Sequence, residues 1–383
     1  MAAARRLDIQ GLRGIAVLLV VLCHAAIGEF AGGFIGVDVF FVISGYVITQ
    51  LLLRQPAGSI LANLRTFYIR RVLRIVPAAT LVLATTPLVA SLVLGSYFDP
   101  ELITDTRWAA LFAANFRLIS TSADYFVQGV FPSLITHFWS LAVEEQFYFF
   151  YPLLVFVISA LAGERQRTLW LRTALIAGIG ASAYWAVVET AANRVDAYYS
   201  PLTRFWELAL GGLIATLPAL VGRAGRIASE LLAVSAVALL GYSLIIIRPE
   251  SEFPGWLAWL PCAASAVLLW SGQSSTLVAK VLAVRPLTWL GDLSYSLYLW
   301  HYAWLFLPLQ LEVALNSPLD RLWQVAGALL CAMASYYLVE NPIRHSQRLV
   351  KDGFAVLLLL AVAIATVWDL SLVVEQLSLT LNR

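Results

Sequence analysis

Long apolar runs separated by short polar breaks dominate these 383 residues. Such runs recur near 14–30, 34–53, 75–95, 137–161, 172–190, 203–221, 228–247, 255–271, 286–308, 321–340 and 354–372, each about as long as a helix crossing a hydrocarbon core. They are continuous and do not alternate at period two, which excludes a transmembrane β-barrel. The pattern predicts an all-α integral membrane protein of about ten or eleven transmembrane helices in one bundle. No internal repeat is visible, so the inverted-repeat architecture of many transporters has no support. The longest polar interruption, 96–136, holds the semi-apolar piece RWAALFAANFRLI. It is too short and too charged to span, and is predicted as a re-entrant or surface helix over the site.

Composition agrees. Hydrophobic residues make up 61% and charged residues 13%, with a mean hydropathy of +0.81, whereas soluble domains run about half apolar and about a quarter charged. A net charge of +2 gives no bias toward nucleic acid. The segments 1–13, 54–74, 165–172, 223–226, 280–285 and 344–351 collect 18 of the 25 Lys and Arg, which places them and the N-terminus in the cytoplasm by the positive-inside rule. Eleven spans then put the C-terminus outside. The N-terminal MAAARRLDIQGLRG is charged like a signal peptide but is followed by no small-x-small cleavage site, so it reads as leading into a retained first helix. Cys23, Cys262 and Cys331 lie in apolar runs with no paired spacing, and neither a disulfide framework nor a metal site is predicted.

Ionisable groups inside apolar runs are costly and mark function. Arg13 and His24 are eleven residues apart with no charge between them; on a continuous helix they share a face, about 16 Å apart along the axis. A neutral imidazole suits removal of a hydroxyl proton, a reading preferred over Arg13 as an inside anchor with His24 as a packed, hydrogen-bonded core residue. In FYIRRVLRIVP, at the cytoplasmic start of the third span, Arg71 and Arg74 are neighbours on one helical face with Arg70 beside them. Guanidinium groups so placed can clamp phosphates, or merely anchor a helix end. THFWSLAVEEQFYFFYP carries the adjacent carboxylates Glu144 and Glu145, with His137 seven residues before Glu144 on the same face. These carboxylates orient a base, bind substrate hydroxyls or pair with an Arg. Asp38, in GGFIGVDVFFVISGYVIT, sits near the outer end of the second span, where it either faces His24 and holds its tautomer or caps the helix. LGDLSYSLYLWHYAWL offers Asp292, Ser294, Tyr295, Ser296, Tyr298 and His301, with His301 read as interfacial or as a substrate contact. Glu340 and Arg344 in YYLVENPIRH read as helix termination and an inside anchor.

Taken in order, DIQGLRGIAVLLVVLCH, GVDVFFVISGYVIT, RRVLRIVP, HFWSLAVEEQFYFFYP, RFWELALGG, LGDLSYSLYLWH and VENPIR resemble the acyltransferase-3 superfamily of membrane O-acyltransferases over nearly the whole chain. In that family an Arg or Lys followed by ten residues and a His is a functional signature, matched by Arg13 and His24; its R-x-x-R pattern falls on Arg71 and Arg74. The resemblance implies transfer of an acyl group, most often acetyl, from cytoplasmic acetyl-CoA or another acyl-CoA to a hydroxyl of an extracytoplasmic carbohydrate. Lipopolysaccharide O-antigen or another envelope polysaccharide at the bacterial inner membrane is the expected acceptor. Arg13, Arg71 and Arg74, with Arg70, then bind the donor, and His24 handles the hydroxyl proton. Glu144, Glu145 and Asp38 orient or charge-balance the His, and His137, Trp139, Tyr298 and His301 contact the acceptor. Residues 1–345 form the acyltransferase-3 domain, and 346–383 a cytoplasmic linker, an eleventh helix and a short extracytoplasmic tail. Some relatives continue into an SGNH-type domain, which this sequence lacks and which is expected as a separate or missing partner. Partners are otherwise acyl-coenzyme A, the carbohydrate and the lipid bilayer, without nucleic acid. The rival readings are acylation of a small molecule such as a macrolide and, in another class, a lipid-linked sugar flippase or proton-coupled transporter; coenzyme A dependence separates enzyme from carrier.

Overall fold

A computed structural model describes residues 5–27, 30–55, 59–126, 132–311 and 317–381. Its helices are α1 (Leu7–His24), α2 (Gly36–Leu53), α3 (Ile60–Leu94), α4 (Glu101–Ala110), α5 (Ala114–Ser120), α6 (Phe138–Ala192), α7 (Arg194–Tyr199), α8 (Pro201–Ala215), α9 (Gly222–Ile246), α10 (Trp259–Ser271), α11 (Leu277–Leu282), α12 (Arg285–Gln310), α13 (Pro318–Ser335), α14 (Asn341–Arg344), α15 (Gln347–Lys351) and α16 (Gly353–Leu381). Short 3-10 and π turns join some of them, and no strand occurs among the described residues. Eight described spans are long and apolar enough to cross a membrane, so this is an all-α, multi-pass membrane protein. Two of the eight come from α6, which breaks at Gly163 (φ 66°, ψ 171°), a backbone conformation suited to glycine. α8 and α10, with 15 and 13 residues, are only about 20 Å long; with α12 they account for the other three predicted stretches.

The chain divides into two compact units, Met1–Ala57 with Gln146–Ser294 and Gly58–Glu145 with Tyr295–Arg383. In the first, α2 and α8 cross with their backbones nearly touching. A Cβ on Gly45 would fall inside the Leu208 carbonyl, and one on Gly211 inside the Val42 carbonyl. Between lipid-soluble helices no hydrophobic force drives association, so van der Waals contact at small residues must supply it. Gly45→Val is therefore expected to lower the yield of folded protein, read as the monodisperse peak from detergent, by at least about fivefold; Val47→Ala, at an exposed position of the same helix, should leave that yield unchanged.

The first helix departs from the sequence reading. It starts at Leu7 and ends at His24, where Ala26 adopts a left-handed conformation (φ 48°), so the predicted 14–30 span is shifted toward the N-terminus; Gly28 and Glu29 lie outside the described residues. After the 3-10 turn Ala31–Ile35, α2 runs back along α1, with Gly33 against Leu19 and Cys23 and Gly36 against Ala16 and Val20. Asp38 thus lies beside the body of α1, well back from its His24 end.

In the second unit, α3 is 35 residues long, about 52 Å, against a hydrocarbon core of about 30 Å. It begins fifteen residues before the predicted span, so Arg70, Arg71 and Arg74 lie within a continuous helix that outruns the membrane. α16 packs along α3, burying Val356, Val367 and Val374, and stays helical to Leu381, where a short tail was predicted after 372. RWAALFAANFRLI is not one helix: Phe112 (φ 52°) breaks it between α4 and α5. Arg117 of α5 bridges back to Glu101 and, at 3.0 Å, to Asp105 of α4, while Arg107 ties α4 to Glu375 of α16 (3.2 Å).

Candidate functional site

α1 carries Arg13 and His24 without interruption, so their eleven-residue spacing does place them on one face, about 16 Å apart. Arg13 is half-buried; its Nη2 donates to Ser294 Oγ (2.8 Å) and its Nη1 to Gln10 Oε1 (3.4 Å). The half-buried His24 is the last residue of the helix, not a mid-span residue. The expected partnership with Asp38 is replaced by another. Asp38 Oδ1 accepts from Arg204 Nη1 at 3.0 Å, and the same nitrogen donates to Glu207 Oε1 at 2.7 Å. All three side chains are fully buried.

Three rings surround the Arg204 guanidinium, those of Tyr198 and Phe253 at 5.3 Å and Phe41 at 5.9 Å. An isolated charge in such surroundings is prohibitively costly, so the cluster is sustained by mutual pairing and by contacts with ring faces. Asp38, Glu207 and Cys262 bring potential ligand atoms within 4.8 Å of one another. Because the guanidinium already bridges both carboxylates, the donor set fits an ion-pair cluster better than a metal site. Sequence reasoning passed over Arg204 and Glu207; the signal was present, as opposite charges three residues apart inside an apolar run.

In the second unit Arg71 joins both carboxylates of the EE pair, Nε to Glu145 at 3.0 Å and Nη2 to Glu144 at 3.1 Å. Of the roles open to those carboxylates, pairing with an arginine is the one seen. Arg71 is buried, Arg74 half-buried and Arg70 exposed, so three neighbouring arginines present three different environments. Two consecutive carboxylates at the start of α6 give the Arg71 fork two acceptors.

Four further predicted residues lie in the same unit. His137 and His301 are fully buried with ring centroids 5.4 Å apart, so His301 sits inside the unit and not on its surface as a belt residue would. His137 Nε2 donates to the Leu299 carbonyl (3.1 Å) and stacks on Tyr302 at 4.9 Å, while His301 Nδ1 donates to the Tyr298 carbonyl (2.6 Å). Tyr298 OH donates to the His137 carbonyl (3.0 Å) and shares a 2.6 Å hydrogen bond with Ser140. Trp139 is buried, 6.5 Å from the Tyr125 ring. His137, Tyr298 and His301 are thus gathered in one aromatic box. Ser140 and Tyr302 complete it and were missed, since neither carries a charge that stands out among apolar neighbours. Glu340, read from sequence as part of a helix end, lies one short helix before the run stops at Arg344, and it is also buried and accepts from Ser296 Oγ at 2.7 Å.

A family model for acyltransferase-3, described as an acyltransferase domain, matches residues 6–341. The chain is 30% identical over 367 residues to the peptidoglycan O-acetyltransferase OatA of Listeria monocytogenes, covering 91% of this chain and 56% of that protein. It is 31% identical over 361 residues to the O-acetyltransferase OatA of Staphylococcus aureus, covering 90% and 57%. It is 31% identical over 358 residues to the YrhL protein of Bacillus subtilis, covering 88% and 54%. The chain spans about half the length of these curated relatives. No solved structure matches it.

Proposed function

This chain belongs to the acyltransferase-3 family, and from that premise we propose that it is a membrane O-acetyltransferase acting on an envelope polysaccharide. Similarity to two O-acetyltransferases over nine-tenths of the chain supports the reaction class. The name of the Listeria relative makes peptidoglycan the first acceptor to test, ahead of the O-antigen expected from sequence. The donor is acetyl-CoA, supplied at the arginine-rich side of the bacterial inner membrane, where the N-terminus lies. The carbohydrate hydroxyl attacks the thioester carbonyl, the C–S bond breaks as the ester C–O bond forms, and coenzyme A leaves as a thiolate that takes up a proton.

The observation that carries the residue roles is α1 itself, a single helix with a guanidinium about three turns from the imidazole at its end. Arg13 binds donor phosphate, and His24 takes the proton of the acceptor hydroxyl. Arg71 and Arg74 are the phosphate ligands of the second unit, where a bound phosphate takes over Arg71 donors now given to Glu144 and Glu145. Tyr298, half-buried beside the buried His137 and His301, is the member of the aromatic box that meets a sugar.

Equilibrium binding of coenzyme A to the purified protein tests this reading against the transporter. Micromolar binding is expected, with Arg74→Ala and Arg71→Lys each weakening it about five- to tenfold, as loss of a charge-assisted contact does. A folded protein that binds no coenzyme A contradicts the enzyme reading and favours a carrier.

A further inference from the structure

Between α13 and α14 the helix makes one π turn over Tyr336–Glu340, in which the Asn341 N–H reaches back five residues to the Tyr336 carbonyl. Such a turn takes up one extra residue and rotates the downstream segment by about 100° relative to a regular helix. Here it carries the chain from exposed Tyr337 and Leu338 to a buried Glu340. A carboxylate withdrawn from solvent needs hydrogen-bond compensation. Glu340 Oε2 receives the 2.7 Å bond from Ser296, and Arg344 Nη1 lies 3.9 Å from Oε1.

The residue before Ser296 reaches the other way. Tyr295 OH donates to the Ile75 carbonyl (2.8 Å) on α3, one helical turn beyond Arg71. Tyr295 is also within electrostatic reach of Glu340, Glu145, Arg71 and Glu144. A ladder therefore runs from the π turn through Ser296 and Tyr295 of α12 to α3, at the level where Arg71 bridges its two carboxylates.

We infer that Glu340 is a positioning residue for donor binding: through Ser296 it fixes α12 against α3 and so holds Arg71 where a coenzyme A phosphate can engage it. The inference rests on the donor role given above to Arg71. Glu340→Met keeps the volume and removes the acceptor.

Coenzyme A affinity and the thermal midpoint are measured together for each variant in detergent. Glu340→Met should weaken coenzyme A binding at least about fivefold, the equivalent of one hydrogen bond, with a midpoint close to the parent. Glu340→Gln, which still offers Ser296 an acceptor, should recover most of the affinity. Ser296→Ala, which removes only a hydroxyl, provides the same reading should the larger changes unfold the protein. Unchanged affinity in Glu340→Met and Ser296→Ala, or losses that merely track the midpoint, overturn the inference. If Arg71→Lys and Arg74→Ala weaken binding and these variants do not, only the role of Glu340 fails. If the arginine variants have no effect, or the folded parent binds no coenzyme A, the donor reading fails and takes this inference with it.

Discussion

His24→Ala is expected to lower acetyl transfer about 10²- to 10⁴-fold, the contribution of a positioned general base, while coenzyme A affinity stays within about twofold. His24 is the last residue of α1 and only half-buried, so truncating its ring removes little of the packing that sets the helix. Arg13, the proposed donor ligand on the same helix, lies about three turns away. The variant thus separates chemistry from binding. Label transfer from acetyl-CoA and equilibrium coenzyme A binding, measured on the same preparation, check both halves. Equal loss of binding and transfer would reduce His24 to a structural role.

Arg204→Ala should affect the fold instead. It leaves Asp38 and Glu207 buried together with no cation between them, and breaking a buried ion pair by removing one partner costs about 3–5 kcal/mol. Against a typical net stability of about 5–15 kcal/mol, folded yield should fall at least about tenfold. Lysine should rescue it only in part, because a strongly hydrated ammonium is costlier to bury among the surrounding rings than a guanidinium. Removing all three charges together, as Asp38→Asn, Arg204→Met and Glu207→Gln, should recover much of the yield, because the cost lies in unpaired charge and not in lost volume. Size-exclusion profiles from detergent extracts read each case. A triple variant as poorly folded as Arg204→Ala would show that shape, not charge, is what the cluster supplies.

The sequence revealed the helices more readily than their ends. Hydrophobic content located eleven stretches, but it reports a propensity to span and not the residue at which a helix stops. The misplaced end of α1 and the early start of α3 both arise from that. The α3 case matters for function, because Arg70, Arg71 and Arg74 belong to a helix continuing beyond the membrane and not to its first turn. Helical periodicity foresaw that Arg13 and His24 share a face, and charge chemistry foresaw an arginine for the EE pair. It misassigned Asp38, because the hairpin suggested a near partner whereas the buried partner comes from α8, 166 residues away. The burial of His301 was not legible because a Tyr- and Trp-rich helix looks like an interfacial belt until its packing partners are known. Glu340 was beyond reach for another reason: a π turn changes the facing of every later residue and leaves no mark in a 100° periodicity.

Acetyl transfer itself is tested by tracking label from acetyl-CoA onto isolated glycan strands, peptidoglycan first, with the purified protein in liposomes and His24→Ala alongside. Alkali-labile label on glycan together with stoichiometric free coenzyme A is the predicted result for the parent protein, and neither above background for the variant. Folded parent protein that moves no label to any envelope glycan and releases no coenzyme A would contradict the claim.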